Sequence, residues 1–537
     1  MKPSIVPPGR TVALSGMMGT GKSTIGPLLA GALGYAFVDL DAHFSSVHGV
    51  SIAEFFRREG EPKFREEEAR LSRALLADGI PRVLALGGFT VGQTELRHEL
   101  LARTVLVTLT APTEVLATRL AGDDTRPLLG AQTNSPVPSV TRIESLLAAR
   151  AAAYAECHLR VDTDRAPEDV VNEIAKHAAA PRVAVPLGTR SYCVHIAQDP
   201  AEAKAALVDA VLALAPSSLI VVSDSNVMRL RRAPLDALLD AVLLPRTLIT
   251  LAPGEANKTL HSVSPIWDAA LGARIDRDAL VIAYGGGVVG DLAAFAASTL
   301  LRGVRLLQAP TTVLSMLDSS VGGKTGFDHA TGKNLIGSFW QPSGVVVDIT
   351  HTDTLPAREL SAGLAEAVKM AITHDAALFA QLEADAERLA RGDHNALARV
   401  VQRGIAIKAG VVARDEHEHG ERALLNLGHT VGHALEVDGG YSRWLHGEAV
   451  ALGLGYELDA LARLGHCPVE LPARVRALCM RLNLPTTIPA HELARSFTHM
   501  GADKKRRGGA LAMAKLSALG QATITRVALR ELVDALS

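Results

Sequence analysis

The run from Asn426 to Glu448, NLGHTVGHALEVDGGYSRWLHGE, holds three histidines at spacings suited to metal binding. His429 and His433 stand four apart in a stretch whose apolar period predicts a helix, so both imidazoles leave one face. His446 follows the turn-rich DGGYSR and opens a second helical run, HGEAVALGLGYELDALARL. Two histidines at i, i+4 and a third from a neighbouring helix suit an open site, with three protein ligands and a position left for substrate. Glu366 is a fourth candidate, in the short apolar helix SAGLAEAVKMA with Lys369 one turn on. Any one such histidine pair is more often a surface or satisfied core pair; three converging among glycines shift the balance. The protease spacing HExxH is absent, because Thr430 follows His429, so peptide hydrolysis is not indicated.

A second chemistry is written near the N-terminus. RTVALSGMMGTGKST reads as strand, glycine loop and helix start, and satisfies GxxxxGK[ST] with Gly16, Gly21, Lys22 and Ser23. Gly19, Thr20 and Thr24 complete the loop. Backbone N–H groups of such a loop turn inward on phosphate oxygens, Lys22 adds charge at the β/γ end, and Ser23 can ligate Mg²⁺. The motif establishes a nucleoside triphosphate and leaves the acceptor open. Downstream, FVDLD ends a strand in Asp39 and Asp41, KFREEE carries Arg65, and VLALGGF ends a strand in Gly87 and Gly88. GDDTRPLLGAQTNSPVPS has the composition of a lid and carries Arg126, and Arg150 follows in LLAARAAAYAE.

The framework that must position these groups is α/β. The chain has 537 residues, 48% of them hydrophobic, enough for three to four units on a ~150-residue prior. A net charge of −2 gives no electrostatic footprint for nucleic acid or an anionic membrane. Four cysteines without a CxxC pair fit a reducing cytoplasm, and neither a signal peptide nor an apolar run of membrane length is expected. Short apolar strands alternate with helical runs over the first two thirds, and helix dominates the rest. The expected division is a P-loop domain over 1–177, a junction over 178–190 that includes the first strand of the second enzyme, a Rossmann-like α/β domain over 181–355, and a mostly α-helical domain over 356–537.

Within the third of these, SLIVVSDSNV is a buried strand ending in Asp224 and Asn226, and PGEANKT supplies Glu255 and Lys258. ALVIAYGGGVVGDLAAFAA runs a strand into Gly285, Gly286, Gly287 and Gly290, then Asp291 and a helix, the context that a dinucleotide fingerprint requires. The usual acidic residue about 20 positions later is missing, which leaves Asp224 the better ribose candidate. APTTVLSMLDSSVGGKTGFDHATGKNLIGSFWQP adds Thr311, Thr312, Asp318, Lys324, Lys333 and Asn334 among glycines. RDEHEHGER, at 414–422, packs acids and histidines but reads as a solvated turn apart from Arg422.

Two resemblances gather these motifs. The first segment resembles shikimate kinase in its P-loop, DxD pair, FR arginine, glycine pair, RPLL lid and RxxxY helix. That resemblance implies shikimate held by Asp41, Arg65, Gly87, Gly88 and Arg150, Mg²⁺ on Ser23 and Asp39, and the transferring phosphate of ATP on Lys22 and Arg126. Phe89 stands where the family usually has a third glycine, and Pro27 where it usually has a basic residue; proline inside a helix can cost ~3 kcal/mol. From about Arg182 onward the chain resembles 3-dehydroquinate synthase. That resemblance implies NAD⁺ on Asp224, Asn226, Glu255, Lys258, Gly286, Gly287, Asp291, Thr311 and Thr312, reaching Asp318, Lys324 and Lys333. It implies Zn²⁺, with Co²⁺ as the alternative, on Glu366, His429 and His446, and turns His433 from metal to substrate. Lys324, Lys333, Asn334, Lys369, Lys408, Arg422 and Asn426 would hold 3-deoxy-arabino-heptulosonate 7-phosphate, with Asp318 polarising the network and either Lys504 or Lys505 joining it. Arg302 would reach a neighbouring subunit's phosphate site, which implies a homodimer through the synthase part. The implied chemistry oxidises one ring hydroxyl transiently, expels phosphate by β-elimination, returns the hydride and closes a carbocycle, with no net redox.

Two rival readings stay open at this level. A polyol oxidoreductase of the glycerol-dehydrogenase type would keep NAD⁺ and metal, and a silent nucleotide-binding module would replace the kinase. The two chemistries should be separable. Lys22→Ala removes one charge-stabilising group and should lower ATP-dependent phosphorylation of shikimate by roughly 100-fold or more. Phosphate release from the heptulosonate phosphate should be retained, and parallel assays on the purified variant check both.

Overall fold

Val12–Ser15 is buried at every residue, as a central strand of a parallel sheet must be when helices cover both faces. In the computed structural model, which describes residues 9–121, 140–502 and 510–537, it lies third of five strands. The order is Ala36–Asp39, Arg82–Ala85, Val12–Ser15, Val105–Thr110, Leu159–Asp162, and the pairings are parallel. Alternation sorts its side chains. Val12 and Leu14 pack with Ile25, Leu29, Val170 and Ile174, while Ala13 packs on the opposite face with Leu84, Leu106 and Phe44. The chain forms two compact units that divide between Cys193 and Val194.

The loop after this strand needs glycine at its first position. Gly16 has φ 137°, and a Cβ there would lie 2.4 Å from the Leu109 carbonyl oxygen. Helix Lys22–Leu33 then starts at Lys22 and runs unbroken through Pro27. Pro27 is exposed, so the carbonyl one turn earlier that loses its N–H partner lies within reach of solvent, and the helix does not break there.

In the second unit the sheet strands run in the order Tyr192–Ala197, Gly344–Asp348, Arg305–Pro310, Leu280–Gly285, Leu219–Asp224, Arg246–Leu251. From Tyr192–Ala197 onward the pairings are parallel. Asp224, Gly285 and Pro310 therefore end adjacent strands at one edge, the place where open α/β sheets bind ligands.

The rest of the second unit is largely helical. In Ala357–His374 every residue from Leu360 to Thr373 is buried, polar ones included, so this helix is surrounded on all sides. The histidine stretch differs from the single helix that the sequence suggests. Glu421–Asn426 is a 3₁₀ turn, Gly428 takes a left-handed conformation, and the α-helix starts only at His429. A hairpin, Ala510–Ala518 with Gln521–Ala528, precedes the last helix Leu529–Leu536 in this mostly α-helical part. Among the described residues no helix is long and apolar enough to cross a membrane.

Candidate active sites

In the first unit a cavity of about 960 Å³ opens at the carboxyl end of the sheet, lined by Lys22, Ser23, Asp39, Asp41, Arg65, Gly88, Phe89 and Arg150, among others. Lys22 Nζ donates to the carbonyls of Gly16 (2.7 Å) and Met17 (3.1 Å), which holds it over the loop. Ser23 Oγ donates to Asp39 Oδ2 at 3.2 Å, so the two implied Mg²⁺-side groups do meet. Asp39 also caps the next helix through the N–H groups of Asp41 and Ala42. Arg65 is held by Glu61 and by the buried Glu68, whose carboxylate also accepts from Thr90 Oγ1 and Gln93 Nε2. Gly87 lies behind the lining; a Cβ on it would sit 2.8 Å from Asp41 Oδ1. Arg150 is buried, donates to the Gly88 carbonyl at 3.3 Å, and meets no carboxylate at ion-pair distance among the described residues. A buried guanidinium without a carboxylate is a ready receptor for an anionic substrate. Arg126 lies outside the described residues, as do Lys504 and Lys505.

The second unit places its implied metal ligands together. Glu366 Oε1 is 3.8 Å from His429 Nε2 and 3.7 Å from His446 Nε2. It meets no donor at hydrogen-bond distance, although its carboxylate is fully buried. An orphaned buried oxygen between two imidazole nitrogens fits a divalent ion, and the residue types are those of an open catalytic site. Glu366 Oε2 meets Lys369 Nζ in a wholly buried ion pair. Burial would raise the Glu366 carboxyl, but Lys369 outweighs it and holds the group below its ordinary range. Burial would likewise lower His446, yet Glu366 and Glu436 push it up to about 10, so an ion taken by Nε2 would have to displace a proton.

Close helix crossings create this convergence. A Cβ on Gly447 would lie 1.8 Å from the Ala362 carbonyl oxygen, so the helix that begins at His446 can reach Glu366 only with glycine there. Gly453 approaches the Gly428 carbonyl equally closely, at 1.9 Å for the same added carbon. The His429 helix is fixed at its start by buried Glu457, which accepts the N–H groups of Gly428 (2.8 Å) and Val431 (2.9 Å).

Around the metal set lie the cations. Lys408 Nζ donates to Asp318 Oδ1 at 2.7 Å and to the Asp318 carbonyl. Burial raises the Asp318 carboxyl, but Lys408, Lys369 and Lys324 outweigh it and keep it ionised far below the usual range. Burial brings Lys408 down to about 8, so the pair is ionic at neutral pH. Arg422, also buried, donates to the carbonyls of Gly322 and Glu416. Lys324 pairs with Glu418, which also takes the Asn426 amide. Lys333 bridges Glu255 (3.1 Å) and Glu436 (3.0 Å). At the strand ends, Asp224 Oδ1 accepts from the N–H of Asn226 and Val227. Lys258 pairs with Asp291 at 2.6 Å and donates to Asn334 Oδ1. Gly286 precedes the helix Gly287–Thr299, a Cβ on it would approach Thr312 Cγ2 to 3.2 Å, and Thr311 Oγ1 is buried without a hydrogen-bond partner. A glycine turn, a helix N-terminus and an orphaned hydroxyl fit a dinucleotide.

Comparison with known proteins decides the family. A family model described as shikimate kinase matches residues 18–179. Models for the N-terminal and C-terminal parts of 3-dehydroquinate synthase match 248–362 and 363–506. The chain is a fusion of a shikimate kinase with a 3-dehydroquinate synthase. Among solved structures it is similar to 2-epi-5-epi-valiolone synthase from Streptomyces hygroscopicus subsp. jinggangensis 5008 with NAD⁺ and Zn²⁺ bound. That match is 28% identical, with 64% of this chain and 95% of that one covered and a TM-score of 0.56. A 2-deoxy-scyllo-inosose synthase complexed with carbaglucose-6-phosphate, NAD⁺ and Co²⁺ shares the fold at 23% identity, 66% and 99% coverage and a TM-score of 0.58. A shikimate kinase from Acinetobacter baumannii in complex with shikimate is 32% identical, over 32% of this chain and 93% of that one, with a TM-score of 0.29.

The synthase models begin at residue 248, later than the resemblance from Arg182; Asp224 and Asn226 stand on the sheet geometry alone. Several residues escape a reading of the sequence. Arg119 lines the kinase cavity beside the P-loop, donating to Thr163 and the Gly19 carbonyl. Glu436 and Glu457 are missed as well: each shares its helical run with a second carboxylate, Asp438 or Asp459, and nothing local singles it out. In the kinase, Phe89 has an ordinary negative φ of −151°, so glycine is not needed there. Its ring lies 4.6 Å from the Arg150 guanidinium and edge-on to Tyr154. Among the described residues, neither cluster with three potential ligands draws on 414–422; Asp415 there accepts the N–H groups of His419, Gly420 and Arg422 and shapes the turn.

Two substitutions test these contacts. Gly447→Ala should push the helices apart at a cost of about 1–3 kcal/mol and lower bound divalent metal, read by thermal melting and metal analysis, with kinase turnover intact. Phe89→Leu removes a cation–π contact worth roughly 1 kcal/mol and should raise KM for shikimate about fivefold with kcat little changed, while Phe89→Tyr restores it.

Proposed function

We propose that the kinase half transfers the γ-phosphoryl group of Mg-ATP to the 3-hydroxyl of shikimate. The synthase half converts 3-deoxy-arabino-heptulosonate 7-phosphate to 3-dehydroquinate and phosphate, with NAD⁺ and one Zn²⁺ per chain. The observation that carries the synthase reading is the orphaned Glu366 oxygen between the two histidine nitrogens, with buried Lys369 beside it. Buried Lys408 and Arg422 favour an anionic substrate over a simple polyol. NAD⁺ and Zn²⁺ in the valiolone synthase support the same cofactors here.

In the kinase half catalysis is positioning and electrostatics. Lys22 exchanges its loop carbonyls for phosphate oxygens, Ser23 and Asp39 orient the ion that accompanies ATP, and Arg65 and Arg150 hold the shikimate carboxylate. Asp41, beside Gly87, accepts the acceptor hydroxyl. In the synthase half a bound ion would supply Lewis-acid polarisation of neighbouring hydroxyls, and NAD⁺ would supply a reversible hydride acceptor. Glu366, His429 and His446 hold the ion. Lys408 and Arg422 balance the charge of the phosphate end, Lys324, Lys333, Lys369, Asn334 and Asn426 orient hydroxyls and carboxylate, and Asp318 keeps Lys408 in place. His433 is exposed with its ring 5.2 Å from that of His429, where it can exchange protons with substrate.

A homodimer through the synthase half is part of the proposal, in a cytoplasmic setting that suits four free cysteines. Leu335, Ile336 and Phe339 are exposed at 42, 41 and 41% along Gly332–Phe339. Trp340, next in the chain, packs on Gly303 beside exposed Arg302, which sits at φ 68°. An apolar strip beside an arginine is suited to burial by a second copy.

Purified protein with trace NAD⁺ should release phosphate from the heptulosonate phosphate without accumulating NADH; stoichiometric NADH would support the polyol reading instead. His429→Ala should lose bound zinc and synthase activity yet keep kinase turnover, and unchanged metal content would refute the ligand set. Sedimentation equilibrium should give a dimer, converted to monomer by Ile336→Asp.

A further inference from the structure

The His446 ring is bracketed. Its Nε2 faces Glu366 Oε1 at 3.7 Å, and its Nδ1 faces Glu436 Oε2 at 3.4 Å. His429 has the same arrangement in another form, since its Nε2 faces Glu366 while its Nδ1 lies 3.4 Å from the Leu427 carbonyl. Each imidazole thus turns one nitrogen to the shared carboxylate and gives the other an oxygen acceptor. Such an outer acceptor sets the tautomer, because the nitrogen that donates the proton outward cannot bind an ion.

We propose that Glu436 is a positioning residue of the metal site, holding His446 as the Nδ1–H tautomer with Nε2 presented to the ion. The inference rests on the metal ligands proposed above. Glu436 is suited to this task because it is itself fixed: the side chain is buried and its other oxygen accepts from Lys333 at 3.0 Å. Lys333 in turn is shared with Glu255. One carboxylate therefore orients a metal ligand and balances a cation on the NAD⁺ side of the site.

His433, Glu436 and His446 also bring three potential ligand atoms within 4.8 Å of one another. A second ion there would need both nitrogens of His446 to ligate and would stand beside the Lys333 ammonium, which repels it. The arrangement favours one ion per chain.

The test uses the full-length protein and Zn²⁺ in competition with a chromophoric chelator. Glu436→Gln should bind one Zn²⁺ per chain about 10–100-fold more weakly than wild type, the usual effect of losing such a partner. Lys333→Met, which leaves the Glu436–His446 contact, should weaken binding by less than about tenfold. Wild-type affinity in Glu436→Gln overturns the proposal, as does a stoichiometry of two ions in the unaltered protein. His446→Ala separates this from the ligand assignment. If it retains full affinity the assignment itself fails, whereas loss in His446→Ala with none in Glu436→Gln sinks only the role of Glu436. Independently of any variant, ¹⁵N-detected histidine spectra of the zinc-loaded protein should show His446 protonated at Nδ1; protonation at Nε2 overturns the proposal.

Discussion

Taking the carboxylate of Glu366 out of water is the constraint around which the synthase half is built. An isolated buried charge of this kind costs several kcal/mol, and a partner must offset it. Lys369 supplies one on the same helix, and the two histidine nitrogens stand where an ion would supply the other. Because the helix that carries Glu366 is enclosed on all sides, the groups that meet it have to come from elements pressed against it. Backbone-to-backbone approach at Gly447 and Gly453 allows that, and Glu457 locks the start of the His429 helix in register. A change at any of these three residues acts on the metal set without touching a ligand.

Charge is arranged differently in the two halves. In the synthase, cations are paired in advance: Lys408 with Asp318, Lys333 with Glu255 and Glu436, Lys258 with Asp291. Under the proposed function a substrate phosphate entering this network would redistribute existing pairs, so its binding energy would be a difference between two paired arrangements. In the kinase, Arg150 is buried against a carbonyl, a thioether and an aromatic face, with no carboxylate beside it among the described residues. Under the proposed function the substrate carboxylate would supply the negative charge that Arg150 lacks here.

Much of this is legible in the sequence, for physical reasons that differ from residue to residue. The P-loop and the GGGVVGD turn are local: their function lies in consecutive backbone groups, so strand, glycines and helix start suffice. The convergence of Glu366, His429 and His446 is legible because residue type and helical spacing narrow the choices, although reducing three histidines to two takes the family pattern. The partners of those ligands are not legible. Glu436 and Glu457 act across helix contacts that no local period announces, and the same holds for the pairing of Lys324 with Glu418. Pro27 misleads because its penalty depends on exposure, which the sequence does not state; in the folded chain it faces outward. The C-terminal hairpin is present as the alternation in ALAMAKLSA and QATITRVA, hidden by the helical bias of its surroundings.

The resting contacts of Lys22 bear on how fast the kinase can let go of its product. Its ammonium already has two carbonyl partners within its own loop. If Lys22 binds nucleotide as proposed, nucleotide would gain from it only the surplus over those bonds, and a departing diphosphate would leave a lysine that is satisfied again. Such a loop tolerates being empty. On the proposed role of Lys22, the loop bonds it gives up would offset part of its hold on nucleotide, and a diphosphate product would be retained the less firmly for it.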